Sequence, residues 1–156
     1  MKVLVLCTGN SARSILLEAI LSARAQGRIE THSAGSHPAG RVHPEALALL
    51  EARGHPTADL RSKSWDEFLA ADTPPDLVIT VCGNADQACP MFPGQPLRAH
   101  WGLPDPAAAP EAEQPAAFAR TYARLAARAE AFLALPFETL SRSDLTAHLA
   151  RIGALD

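Results

Sequence analysis

The sequence predicts an α/β fold, a single domain whose four-stranded parallel sheet carries helices on both faces. Short runs rich in Val, Leu and Ile alternate with stretches of helical periodicity, the order produced by strands joined through crossover helices. Size agrees: 156 residues fit the roughly 100–200 of one domain, and such a chain buries about 70% of its unfolded surface. The expected domain therefore runs over residues 1–156.

Residues 2–6 are a Val/Leu run bounded by Thr8-Gly9-Asn10 and read as a buried strand. From 11 to about 25, Ile15, Leu16, Ala19, Ile20 and Ala23 share one side of a helix, with Gly27 just past its end. Residues 29–33 make a second, weaker strand. The span 43–53 is a helix on the stripe Ala46, Leu47 and Leu50, stopped by Gly54. Residues 76–81 are the clearest strand and 97–101 the fourth. A long Ala/Arg helix spans 115–135, and a last helix spans 141–151 with Asp144 near its first turn. Prolines cluster at 74–75, 90–96 and 104–115, between elements, which marks loops.

Composition excludes several classes. No apolar run approaches the roughly 20 residues of a membrane span, and residues 1–7 are too short for a signal peptide and lack its cleavage site. A net charge of −3 with 5% aromatics argues against a nucleic-acid partner. Three cysteines, Cys7, Cys82 and Cys89, cannot all pair, so the expected setting is a reducing cytoplasm where thiols serve chemistry. No heptad or long apolar stripe demands a partner copy, so a monomer is expected.

In a parallel sheet, ligands bind beyond the carboxyl ends of the strands, and the first strand–helix turn is the favoured place. Here it reads Cys7-Thr8-Gly9-Asn10-Ser11-Ala12-Arg13-Ser14. Gly9 and Asn10 tolerate positive φ, so successive N–H groups can turn inward and form an oxyanion nest at a helix N-terminus. Arg13 adds a planar fork. Both features are expected to depress the thiol pKa of Cys7 and make it a nucleophile, with Ser14 donating to the thiolate. Neither Gly-Lys-Ser/Thr nor Gly-x-Gly-x-x-Gly is present, which excludes a nucleotide-type glycine loop. A buried cysteine beside a helix-capping arginine is the plainer alternative.

Cys7-x5-Arg13-Ser14 resembles the phosphate loop of the low-molecular-weight protein tyrosine phosphatases and of the thioredoxin-coupled arsenate reductases built on the same fold. The resemblance continues through Ser33-Ala34-Gly35 and reaches Asp105-Pro106. It implies that Asp105 is a general acid for the departing oxygen; ordinary Asp-Pro turn chemistry is the alternative.

Cys82 closes the third strand, and a neighbouring first strand would bring it to Cys7. Seven residues of helix put Cys89 about 10 Å from Cys82, beyond the roughly 7 Å limit for a disulfide, so pairing needs the segment to unwind; Gly83, Asn84 and Asp86 favour that mobility. A zinc site, a buried structural pair and a resolving redox pair all remain open on spacing alone. Cys82-x-x-Ala85-Asp86-x-x-Cys89-Pro90 is similar to the redox segment of the arsenate reductases, which the phosphatases lack as a class. That resemblance implies a three-cysteine relay reduced by thioredoxin. It implies no bound cofactor: Asn10 and Glu18 match two positions of a potassium site found in some of these reductases, but Arg61 and Lys63 stand at the other two. A cationic side chain is therefore expected in place of the ion.

The second enzymatic reading is a phosphatase using the same loop, although Ser36-His37-Pro38-Ala39 and Pro106-Ala107-Ala108 offer an aryl ester little to stack on. A third is a regulator that merely binds the oxyanion, against which Asp105 and the two further cysteines speak. His32, His37, His43, His55, His100 and His148 show no ligand spacing and receive no role. Arg120, Arg124 and Arg128, at i+4 intervals, are expected on a solvated helix face.

Overall fold

A computed structural model describes residues 1–70 and 72–156. Strands β1 (Lys2–Cys7), β2 (Glu30–Gly35), β3 (Leu77–Thr80) and β4 (Leu97–His100) form one parallel sheet in the order β2-β1-β3-β4. Among the described residues, six α-helices are interleaved: α1 (Arg13–Arg24), α2 (Pro44–Ala52), α3 (Asp66–Leu69), α4 (Gly83–Ala88), α5 (Gln114–Leu133) and α6 (Arg142–Gly153). Val3, Leu4, Val5 and Leu6 are all buried, as are Leu77, Val78 and Ile79. Successive side chains point to opposite faces, so the two central strands are covered on both. β4 alternates buried Leu97 and Ala99 with exposed Arg98 and His100, as an edge strand does.

The register sets Cys7 opposite Gly35 on β2 and Leu6 opposite Thr80 on β3. The chain turns to opposite sides of β1, so a crevice opens at its carboxyl end. α1 packs on β1, β2 and α5, and α6 closes over β4. Trp101, following β4, is fully buried, its Nε1 donating to Leu149 O at 3.1 Å.

Two expectations require correction, and one element is new. The first helix begins at Arg13, because residues 8–12 are consumed by the loop. The segment after Cys82 is helical, as its spacing implies, and the short helix α3 is the new element. The arginine stripe is not uniformly solvated: Arg120 is exposed and Arg124 half-buried, but Arg128 is 2% exposed. Arg128 donates from Nη1 to Trp101 O and from Nη2 to Leu155 O, both at 2.8 Å. α5 lies under the end of β4 and the chain's last residues there, which supply acceptors that an i+4 pattern cannot reveal. Among the described residues, no helix is long and apolar enough to cross a membrane.

Candidate active site

The loop after β1 is held from outside. Thr8 O accepts from His37 N, Gly9 O from Ala39 N and Ser62 Oγ, and Ser11 O from His43 N, at 2.9–3.0 Å. Asn10 alone in the loop takes positive φ (47°), the conformation its short polar side chain tolerates. That side chain is fully buried and fastens three segments. Its Oδ1 accepts from Lys63 N at 3.0 Å, and its Nδ2 donates to Ser14 Oγ at 2.8 Å and Ser33 Oγ at 2.9 Å. Ser33 Oγ in turn donates to Glu18. Ser14 is thus engaged by Asn10, and the contacts that act on Cys7 come from Cys82, Arg13 and the Gly9 N–H. The expected Ser14 bond to the sulfur is replaced by a bond that shapes the loop. Gly35 is required by contact: a Cβ there would fall 2.5 Å from Thr8 O and 3.1 Å from Asn10 N.

Burial pushes the Glu18 carboxyl up and the Lys63 ammonium down, while each charge pulls the other back. Lys63 Nζ donates to Arg61 O at 3.1 Å. Arg61 instead turns its guanidinium out to Glu67, at 3.1 and 2.6 Å. Of the two cations expected at the potassium position, Lys63 is the one that lies inside.

Cys7 and Cys82 are both buried, on the ends of adjacent strands. The neighbouring Cys82 sulfur, with burial, pushes Cys7 up, against the pull of Arg13 and the Gly9 N–H. Cys82 is drawn down to about 5 by Cys7, by Thr8 Oγ1 at 3.3 Å and by the Ala85 N–H of α4. Cys7 as a free thiolate is the expectation from the loop alone; Arg13 and the Gly9 N–H pull in that direction, against burial and the Cys82 sulfur.

Arg13 Nη1 donates to Leu103 O at 2.7 Å, Nη2 lies 3.9 Å from Asp105 Oδ2, and Nε is buried with no partner. An orphaned buried donor is costly, and an oxyanion above Cys7 would accept from it. Asp105 meets both of its readings: Oδ1 accepts from Ala107 N at 3.0 Å and caps the turn Pro106–Ala108, while Oδ2 faces Arg13. Thr8, Gly9, Asn10, Ser11, Ala12, Arg13, Ser14, Cys7, Cys82 and Asp105 are thus gathered at the crevice. Cys89 stands apart at the far end of α4, half-buried, its Sγ 3.7 Å from Pro90 O.

Sequence reasoning passes over Thr80, gives His100 no role and reads Asp86 only as favouring mobility; the three meet near the end of β3 (Thr80 Oγ1 to Asp86 Oδ1 3.1 Å, to His100 Nδ1 2.8 Å). The available signal was Thr80, a lone hydroxyl in an otherwise apolar strand.

This arrangement can hold a tetrahedral oxyanion against a thiol, protonate a departing oxygen and bring a second sulfur to the first. The chain is similar to proteins named arsenate reductases. An arsenate reductase of Halalkalibacterium halodurans is 36% identical over 104 residues, 67% of this chain and 73% of that one. The crystal structure of an arsenate reductase from Archaeoglobus fulgidus superposes with a TM-score of 0.63 at 30% identity, over 82% of this chain and 98% of that one. A thioredoxin-dependent arsenate reductase of Corynebacterium glutamicum matches with a TM-score of 0.58 at 31% identity, over 80% of this chain and 57% of that one. The model of the low molecular weight phosphotyrosine protein phosphatase family matches residues 2–145, and the chain belongs to that family.

Proposed function

We propose that the protein reduces arsenate to arsenite, with Cys7 as nucleophile, Asp105 as general acid and thioredoxin as electron donor. The observation that carries this reading is the burial of Cys7 and Cys82 as neighbours within reach of the Arg13 charge, with Arg13 Nε left without a partner. Arsenate enters the loop, Cys7 passes its proton to the oxyanion and bonds to arsenic, and Asp105 protonates the oxygen that leaves as water. The Cys82 thiolate then attacks Cys7 Sγ. The sulfur–arsenic bond breaks with its electron pair on arsenic, As(V) becomes As(III), and a Cys7–Cys82 disulfide remains. Cys89 attacks Cys82, Cys7 is freed as a thiol, and the Cys82–Cys89 disulfide is reduced by the dithiol of thioredoxin. Lys63 takes the place of the potassium ion, so added potassium leaves activity and melting temperature unchanged.

Steady-state oxidation of NADPH with thioredoxin and thioredoxin reductase, dependent on arsenate, tests the reading. Cys89→Ser is expected to release one equivalent of arsenite and stop; normal turnover in that variant would overturn the relay. The same cradle admits phosphate monoesters, and the family match favours weak hydrolysis of p-nitrophenyl phosphate as a side activity. Hydrolysis without arsenate-dependent NADPH oxidation would make the protein a phosphatase.

A further inference from the structure

His100 Nδ1 lies 2.8 Å from Thr80 Oγ1, which lies 3.1 Å from Asp86 Oδ1 and 3.4 Å from Ala99 O. A threonine hydroxyl has one hydrogen, and carboxylate and carbonyl oxygens only accept. With that hydrogen directed to Asp86, the short contact from His100 is a donation by Nδ1–H. The chain therefore runs from imidazole through hydroxyl to carboxylate. His100 Nδ1 and Asp86 Oδ1 are themselves 4.0 Å apart, so the hydroxyl joins them.

The chain connects moving parts. Asp86 sits in the middle of α4, the six-residue helix between Cys82 and Cys89, and a helix that short does not hold itself together in water. Thr80 is the buried end of β3. The imidazole also lies against the start of the acid loop, since a Cβ on Gly102 would fall 2.6 Å from His100 Nε2. The helix is also held by its packed face, where Ala85 is fully buried against the sheet. The chain through Thr80 is the polar tether on its solvent side.

On the relay reading above, we propose that Thr80, Asp86 and His100 are positioning residues for the relay: they keep residues 83–88 helical, and so keep Cys89 away from Cys82 until Cys82 is bonded to Cys7. Releasing the tether lets Cys82 and Cys89 meet out of turn.

Asp86→Ala is the primary variant because its side chain is 45% exposed and its loss leaves the core intact. Thr80→Val removes the hydroxyl at nearly constant shape, and Asp86→Asn restores an acceptor. In the reduced full-length protein, amide hydrogen exchange of residues 83–88 is expected to quicken about 3- to 10-fold in Asp86→Ala and Thr80→Val, the loss of one ordinary hydrogen bond, and to stay near wild type in Asp86→Asn. In a Cys7→Ser background treated with a diazene oxidant, Cys82 and Cys89 lose two electrons and two protons as the diazene becomes a hydrazine. Formation of that disulfide is expected to accelerate by the same factor. Unchanged exchange and pairing in Asp86→Ala would overturn the proposal, as would Asp86→Asn behaving like Asp86→Ala. Neither readout uses arsenate. A protein lacking arsenate-dependent NADPH oxidation would refute the reductase reading while these rates still decide whether the tether exists.

Discussion

Replacing Arg128 with alanine removes the guanidinium that donates to Trp101 O and Leu155 O at 2.8 Å each. Hydrogen bonds from a charged donor contribute about 1.5–3 kcal/mol apiece, a gross loss of about 3–6 kcal/mol. Two offsets apply: a buried cation no longer has to be desolvated, and the orphaned Nε disappears with the side chain. Against them stand two acceptors left bare and the empty volume of the stem. The net expectation is a loss of about 2–4 kcal/mol, which in a domain of this size lowers the melting temperature by about 5–15 °C. Urea unfolding followed by circular dichroism measures it, with Arg120→Ala on the exposed part of the same helix as the control, expected within about 0.5 kcal/mol of wild type. Because Trp101 precedes the loop carrying Asp105, Arg128→Ala should also lower kcat for arsenate. Equal stability of the two variants would refute the reasoning and return Arg128 to a solvated face.

Gly35→Ala places a methyl group 2.5 Å from Thr8 O, so the oxyanion loop must shift; kcat/KM is expected to fall at least about tenfold, the cost of a small misplacement of reacting groups, and oxyanion binding measured by calorimetry should weaken with it. Iodoacetamide labelling of the reduced protein should follow the Cys82 thiolate, which persists down to a pH of about 5 and is lost below it; Thr8→Val deletes a donor to that sulfur and should move the midpoint upward, an unmoved midpoint meaning that the hydroxyl contributes nothing. Ser33→Ala strips the donor from Glu18 and one acceptor from Asn10, with an expected cost of about 1–3 kcal/mol. Since the Glu18 pKa is already raised in the folded state, the folded protein favours the protonated form, and the penalty should be largest above that pKa and shrink as pH falls through it. Thermal melts across pH will show a flat difference if Glu18 is not involved.

Local patterning was enough for the strands and the oxyanion loop. β1 and β3 are short apolar runs with no helical alternative, and Cys7 to Ser14 concentrates a nucleophile, a left-handed position and an arginine in eight residues. Parts of the site assembled from distant segments were less legible. Spacing within residues 82–89 suggests a helix but not the contact of Thr80 with His100, because that depends on β3 lying beside β4. Arg61 and Lys63 look equivalent in sequence. Only the fold shows one reaching Glu67 in solvent and the other buried, its backbone N–H on Asn10 and its ammonium on Arg61 O. Cys7 shows the same limit: its surroundings include Cys82, brought in from beyond the end of β3, which no motif within the loop contains.

The placement of Cys7 and Cys82 at the ends of adjacent parallel strands also governs how the protein responds to unfolding as it cycles. A bond between them ties a loop of about 75 residues, removing chain entropy worth about 4.5 kcal/mol from the unfolded state, whereas Cys82–Cys89 ties about seven residues and removes about 2.4 kcal/mol. Each turnover would then pass through a form harder to unfold than the one that follows. On the proposed relay, the form holding the Cys7–Cys82 bond should resist proteolysis best, and the form holding Cys82–Cys89 should be the more pliable of the two.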